Sequence, residues 1–146
     1  MSEVLIFESK NSKIIRNDNS EWGVPVVTKM LNQEYPSPKS IRHFYNEYEI
    51  TKGLEVPGVR KVLRMGKIQN RHALVFEYAP GTPVKKLVAD SPMPIGAFLR
   101  IAVEVARILG DIHKLNIIHK DVNSQNIVFD EATQTVTLLD FGISTA

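Results

Sequence analysis

Ile118-His119-Lys120-Asp121-Val122-Asn123-Ser124-Gln125-Asn126, followed after a short apolar hairpin by Leu139-Asp140-Phe141-Gly142, decides the reading of this chain. Asp121 and Asn126 fall in a short loop between a long helical stretch and a strand. Such a loop puts two oxygen-bearing side chains into a cleft, and magnesium prefers hard oxygen ligands. Asp140 adds a third oxygen donor at the end of the next strand, where Gly142 lets the backbone turn sharply. Taken singly, either motif is explained by a turn with side-chain caps. Their order, and what stands upstream, carries more weight.

Working outward, Val4 to Phe7 and Lys13 to Arg16 read as short strands, and Pro25 to Leu31 as a third after a turn-rich connector. A helix capped by Ser37 or Ser40 runs to about Leu54, before Pro57-Gly58. Val59 to Met65 and His72 to Tyr78 read as two more strands about Gln69-Asn70-Arg71, and a short helix covers Val84 to Ala89. The longest helix spans Ile95 to about Lys114, with Phe98, Ala102, Val105, Leu109 and Ile112 as its apolar stripe. Ile127 to Phe129 and Thr135 to Leu139 close a final hairpin. The expected class is α+β: a five-stranded antiparallel sheet with one inserted helix, then a mainly helical part carrying the polar hairpin.

Strand alternation puts Lys29 on one face with Val27 and Leu31. An ammonium among apolar neighbours is costly unless paired, although an edge strand with a snorkelling lysine fits this strand equally well. The following helix offers a partner, because Phe44, Glu47, Ile50 and Leu54 share its apolar stripe while Glu49 points elsewhere. Lys29 and Glu47, 18 residues apart, would offset each other's desolvation and hold the lysine straight for an anion.

Composition sets the outer bounds. The 146 residues suffice for one ordinary domain, with 43% apolar and 23% charged residues. A net charge of +2 with no basic block gives no case for nucleic acid. The absence of cysteine excludes disulfides and thiolate chemistry. The N-terminal residues do not read as a signal peptide, and no apolar run approaches membrane-spanning length. A soluble, cytoplasmic domain is expected.

With these residues assembled, the chain resembles a eukaryotic-like serine/threonine protein kinase domain over nearly its whole length. Pro25-Val26-Val27-Thr28-Lys29, Phe44-Tyr45-Asn46-Glu47-Tyr48, Val56-Pro57-Gly58-Val59 and His119-Lys120-Asp121 give a narrower likeness. It is to kinase domains at the front of large bacterial proteins that also carry an ATPase module and a sensor histidine kinase.

The resemblance implies a protein-kinase-like fold, with an N-lobe over 1–79 and the start of a C-lobe over 80–146. It implies ATP and magnesium as ligands, a protein substrate, and further domains of the same polypeptide. Lys29 would contact the α/β-phosphates and Glu47 would hold it. Asp121 would orient the attacking hydroxyl and accept its proton, while Asn126 and Asp140 would hold magnesium. His119 is structural, bracing the loop; His43 and His72 are surface residues, and His113 suits the negative end of its helix. Leu74 to Gly81 resembles the hinge between lobes, with Phe76 behind the adenine and the backbone of Glu77 and Ala79 bonding to it.

Two departures stand out. The phosphate-loop region, Glu8-Ser9-Lys10-Asn11-Ser12-Lys13, has no glycine, although its backbone N–H groups would still cap phosphates. Asn123 and Ser124 stand where the likeness expects Lys and Pro, and Asn123 cannot neutralise γ-phosphate charge. Only Ile143 to Ala146 follow Gly142, so the likeness implies that the activation segment and later helices lie outside this chain. Part of the stripe on the long helix would then be exposed and prone to association. A regulatory pseudokinase is the first alternative, and a small-molecule phosphotransferase of kinase-like fold the second.

Overall fold

The structure, a computed structural model, describes residues 3–146. Its elements are β1 (Glu3–Glu8), β2 (Ser12–Asn17), β3 (Val26–Leu31), α1 (Pro38–Thr51), β4 (Val62–Ile68) and β5 (Arg71–Glu77). They are followed by β6 (Thr82–Pro83), α2 (Val84–Leu87), α3 (Ile95–Lys114), β7 (Ile127–Asp130) and β8 (Thr135–Leu138). The first five strands form one antiparallel sheet, ordered β1-β2-β3-β5-β4, and the last three form a second. The expected α+β architecture is therefore what forms.

Local chemistry explains the joints. Gln69 and Asn70 both take left-handed φ, 49° and 62°, between paired Ile68 and Arg71. This is the two-residue hairpin whose twist matches that of the strands. At the start of α1, Ser37 rather than Ser40 is the cap, accepting from the Ser40 N–H at 3.1 Å with Pro38 in the first turn. That helix stops at Thr51, short of Leu54, where the Thr51 hydroxyl bonds back to the Glu47 carbonyl and Gly53 takes φ 75°.

Two expectations are corrected. β4 begins at Val62, not Val59, because residues 58 and 59 are engaged elsewhere. The Gly58 carbonyl accepts from the Leu138 N–H at 2.7 Å, and Val59 bridges Leu138. Gly58, at φ 92°, is required there, since a side chain would run into Ile108. The stripe on α3 is also rotated from the expected one. Ile101, Ile108 and Ile112 are buried with Val105 and Leu109 packed beside them, whereas Phe98 is 53% exposed and Ala102 is exposed. The helix is apolar on more than one side, so periodicity alone could not select the face that meets β8.

Two hydrophobic cores result. Val27, Leu31, Phe44, Leu74 and Phe76 fill one, between the large sheet and α1. Ile101, Ile108, Ile112, Phe129, Val136, Leu138 and Phe141 fill the other, joined by Leu54 and Val56 from the segment after α1. The polar motifs lie where the two cores meet.

Candidate functional site

Lys29 lies on the central strand β3, in register with Ile14 on one side and Leu74 on the other. Its Nζ is 2.6 Å from Oε2 of Glu47, which projects from α1 and is 2% exposed. Asp140 Oδ1 is 3.8 Å from the same ammonium. Burial pulls the Lys29 pKa down, but the fields of Glu47 and Asp140 and the bond to Glu47 more than reverse it, leaving the pKa raised. The lysine is thus a fixed cation at the junction of the cores. Glu49 is exposed and pairs with Lys52 on the next turn of the helix end.

Asp121 is held from three sides. Its carboxylate accepts from Asn123 Nδ2 at 3.1 Å and from Asn126 Nδ2 at 3.1 Å, and its N–H donates to His119 Nδ1 at 3.2 Å. With Nδ1 accepting, the Nε2–H of His119 donates to the Leu139 carbonyl at 2.9 Å. His119 is 1% exposed and its ring stands edge-on to Phe141, 4.6 Å between centroids. It braces the loop, as expected from sequence. Asn126 also donates to the Asp121 carbonyl, so its amide oxygen is the end left for a ligand.

The backbone turns at Gly142, as expected, where the Ser144 N–H donates to the Phe141 carbonyl at 3.1 Å, and Asp140 just before it takes a left-handed φ of 60°. Gly142 also serves close approach: a Cβ there would sit 3.1 Å from Asp140 Oδ1 and 3.4 Å from the His43 carbonyl. The Gly142 N–H donates to Asp140 Oδ1, fixing that carboxylate from its own chain. Sequence reasoning missed Asn46, one residue before Glu47. Its Nδ2 donates to the carbonyls of Ser144, Gly142 and Phe141 at 2.9, 3.1 and 3.4 Å. A polar residue beside a helix's buried carboxylate was the available signal. Arg60 was missed too, and its guanidinium carbon lies 4.1 Å above the Phe76 ring.

Among the described residues no three His, Cys, Asp or Glu side chains gather into a ready-made metal cage. The donors present are a 43% exposed carboxylate at Asp140 and the free amide oxygen of Asn126. That set fits magnesium, which keeps several waters and binds through one or two protein oxygens plus phosphates.

The family model described as protein kinase domain matches residues 8–146. The chain belongs to this family. A probable serine/threonine-protein kinase of Clostridium perfringens is 33% identical over 121 residues, covering 82% of this chain and 18% of the relative. A leaf rust disease-resistance receptor-like protein kinase of Arabidopsis thaliana is 38% identical over 112 residues, covering 73% and 17%. A DNA damage-responsive serine/threonine-protein kinase of Deinococcus radiodurans is 27% identical over 143 residues, covering 95% and 21%. The chain therefore spans about a fifth of the length of these relatives.

Other parts of this kinase domain chain fall as follows. Ser9, Lys10 and Asn11 make the β1–β2 turn, and β2 starts at Ser12. Ser9 Oγ accepts from the N–H groups of Asn11 and Ser12, so the turn satisfies two of its own amides. Phe76 is buried, and Glu77 ends β5 with its N–H donating to the Lys61 carbonyl. Ala79 follows in the connection to β6. His72 departs from the surface reading: it is half-buried, edge-on to Phe44 and Tyr45 at 6.4 and 5.8 Å. His43 is also half-buried, its carbonyl close to Gly142. His113 lies exposed in the last turn of α3. No helix among the described residues is long and apolar enough to cross a membrane.

Proposed function

We propose that this chain is the ATP- and magnesium-binding front of a serine/threonine protein kinase domain, with an N-lobe over 1–79 and the start of a C-lobe over 80–146. The observation that carries the proposal is the meeting of Glu47 from α1 and Asp140 from the segment after β8 within 3.8 Å of the Lys29 ammonium on β3, together with an Asp121 carboxylate held by Asn123 and Asn126. Lys29, held by Glu47, would bind the α/β-phosphates. Glu77, through its carbonyl, and Ala79, through its backbone, would meet the adenine, with Phe76 behind it. Ser9, Lys10, Asn11 and Ser12 would cover the phosphates.

Asp121 would accept the proton of a Ser or Thr hydroxyl as that oxygen attacks the γ-phosphorus and the bond to the β–γ bridging oxygen breaks. Asp140 and Asn126 would hold magnesium, which when bound neutralises phosphate charge. Catalysis is then positioning and charge balance rather than covalent chemistry. A protein substrate, further domains of the same polypeptide and a cytoplasmic setting complete the reading.

A second reading, nucleotide binding without transfer, is favoured by two observations. Ser9 consumes two amides of the phosphate turn, and Asn123 adds no charge near the transferred group. Phosphate transfer from radiolabelled ATP to a generic protein substrate, using the natural polypeptide that carries this chain, separates the two. Transfer that Asp121→Asn abolishes supports the kinase; nucleotide binding with no transfer in the unaltered protein supports the pseudokinase.

A further inference from the structure

Behind Phe76 stands a second cation that the mechanism above does not use. Arg60 lines a small cavity with Glu47, Thr51, Phe76, Asp140 and Phe141, where the two cores meet. Its guanidinium carbon lies 4.1 Å from the centre of the Phe76 ring, and its Nε is sealed from solvent with no hydrogen-bond partner. It takes part in none of the ion pairs found among the described residues. Burial pulls its pKa down, while the fields of Glu47 and Asp140 act the other way. The positive charge of Arg60 in turn opposes that of Lys29.

An apolar side chain would fill the space behind Phe76 without leaving a buried Nε–H unpaired. Charge balance distinguishes the arginine from such a residue. Lys29 and Arg60 supply two positive charges, and Glu47 and Asp140 two negative ones, so the four sum to zero with no ligand present. A divalent cation arriving alone at Asp140 unbalances this set. One arriving with nucleotide phosphates brings negative charge that more than offsets its own, so the two cations of the set no longer oppose it.

We propose that Arg60 is a positioning residue that makes metal binding at Asp140 depend on nucleotide. It supplies positive charge to the Asp140 and Glu47 carboxylates in the empty site and repels a lone divalent cation. The proposal rests on the reading of Asp140 as a metal ligand. Linkage requires the same coupling in reverse, with nucleotide raising metal affinity by the factor that metal raises nucleotide affinity.

The test is Mn2+ binding to the full chain, read from loss of the free-ion electron paramagnetic resonance signal, with and without ADP. Arg60→Met should bind Mn2+ alone roughly tenfold more tightly than the unaltered chain, since one repelling charge is gone. The enhancement by ADP should shrink by a similar factor. Arg60→Gln, which keeps polarity without charge, must shift the same way, and Arg60→Lys must stay near the unaltered value. A residue that merely fills space would not raise metal affinity on removal. Unchanged or weaker Mn2+ binding in both neutral variants overturns the proposal. Asp140→Asn is the separate control: if it leaves Mn2+ affinity intact, the metal reading itself fails and the role of Arg60 falls with it.

Discussion

Lys29 and Glu47 meet at 2.6 Å from elements that share no backbone hydrogen bonds, β3 and α1, and the carboxylate is almost wholly enclosed. Removing one partner strands the other. Glu47→Gln should lower unfolding free energy by about 3 kcal/mol, the lower end for a broken buried pair because Lys29 keeps some solvent and Asp140 nearby. The double change Lys29→Met, Glu47→Leu should recover most of that stability while abolishing nucleotide binding. Urea unfolding measures both, and an unshifted midpoint for Glu47→Gln would sink the idea. Because the Lys29 pKa is raised above the ordinary value of 10.5, its stabilising charge is fully present below that value. It is lost only as pH climbs through the raised value, so Lys29 contributes no pH dependence between about 6 and 9.

His119 holds the loop and the last strand together, bonding the Leu139 carbonyl and the Asp121 N–H. His119→Phe keeps the ring but leaves both backbone groups unpaired in a buried place. The expected loss is about 2 kcal/mol, with faster amide exchange at Asp121. Unchanged exchange there would show that the ring packs without bracing.

Asn46 ties α1 to the carbonyls of Phe141, Gly142 and Ser144 through one amide group. In Asn46→Ala, backbone amides over 142–145 should exchange about tenfold faster, which is the loss of roughly one net hydrogen bond in local opening. Equal acceleration across the whole chain would indicate global destabilisation instead, and reject a local tether.

Ser9 occupies two amides that a phosphate would otherwise use. Ser9→Gly frees both and relaxes the turn. ADP affinity should rise by about fivefold, the worth of one net hydrogen bond. If fluorescence titration shows weaker binding, the serine itself contacts the nucleotide and the turn has been misread.

Much of this was legible in the sequence because the deciding residues break local rules. A lysine and a glutamate on apolar faces demanded each other, and that demand located β3 against α1. The polar loop around Asp121 was legible for the same reason. What escaped was set by tertiary choice. Helix α3 is apolar on several sides, so only contact with β8 and Gly58 selects Ile101, Ile108 and Ile112 over Phe98 and Ala102. The start of β4 was misplaced because Gly58 and Val59 are recruited by a strand nearly eighty residues later. Arg60 and Asn46 gave little local signal: a charged residue near a strand and a polar one on a helix are ordinary until the fold encloses them.

Calorimetric titration of ADP into the chain, with and without magnesium, in the unaltered protein and in Asp140→Ala, bears on the nucleotide-and-magnesium reading as a whole. ADP should bind more tightly with magnesium in the unaltered chain, and Asp140→Ala should erase that gain while leaving metal-free binding nearly intact. A magnesium-dependent gain that survives Asp140→Ala would contradict the assignment of the site.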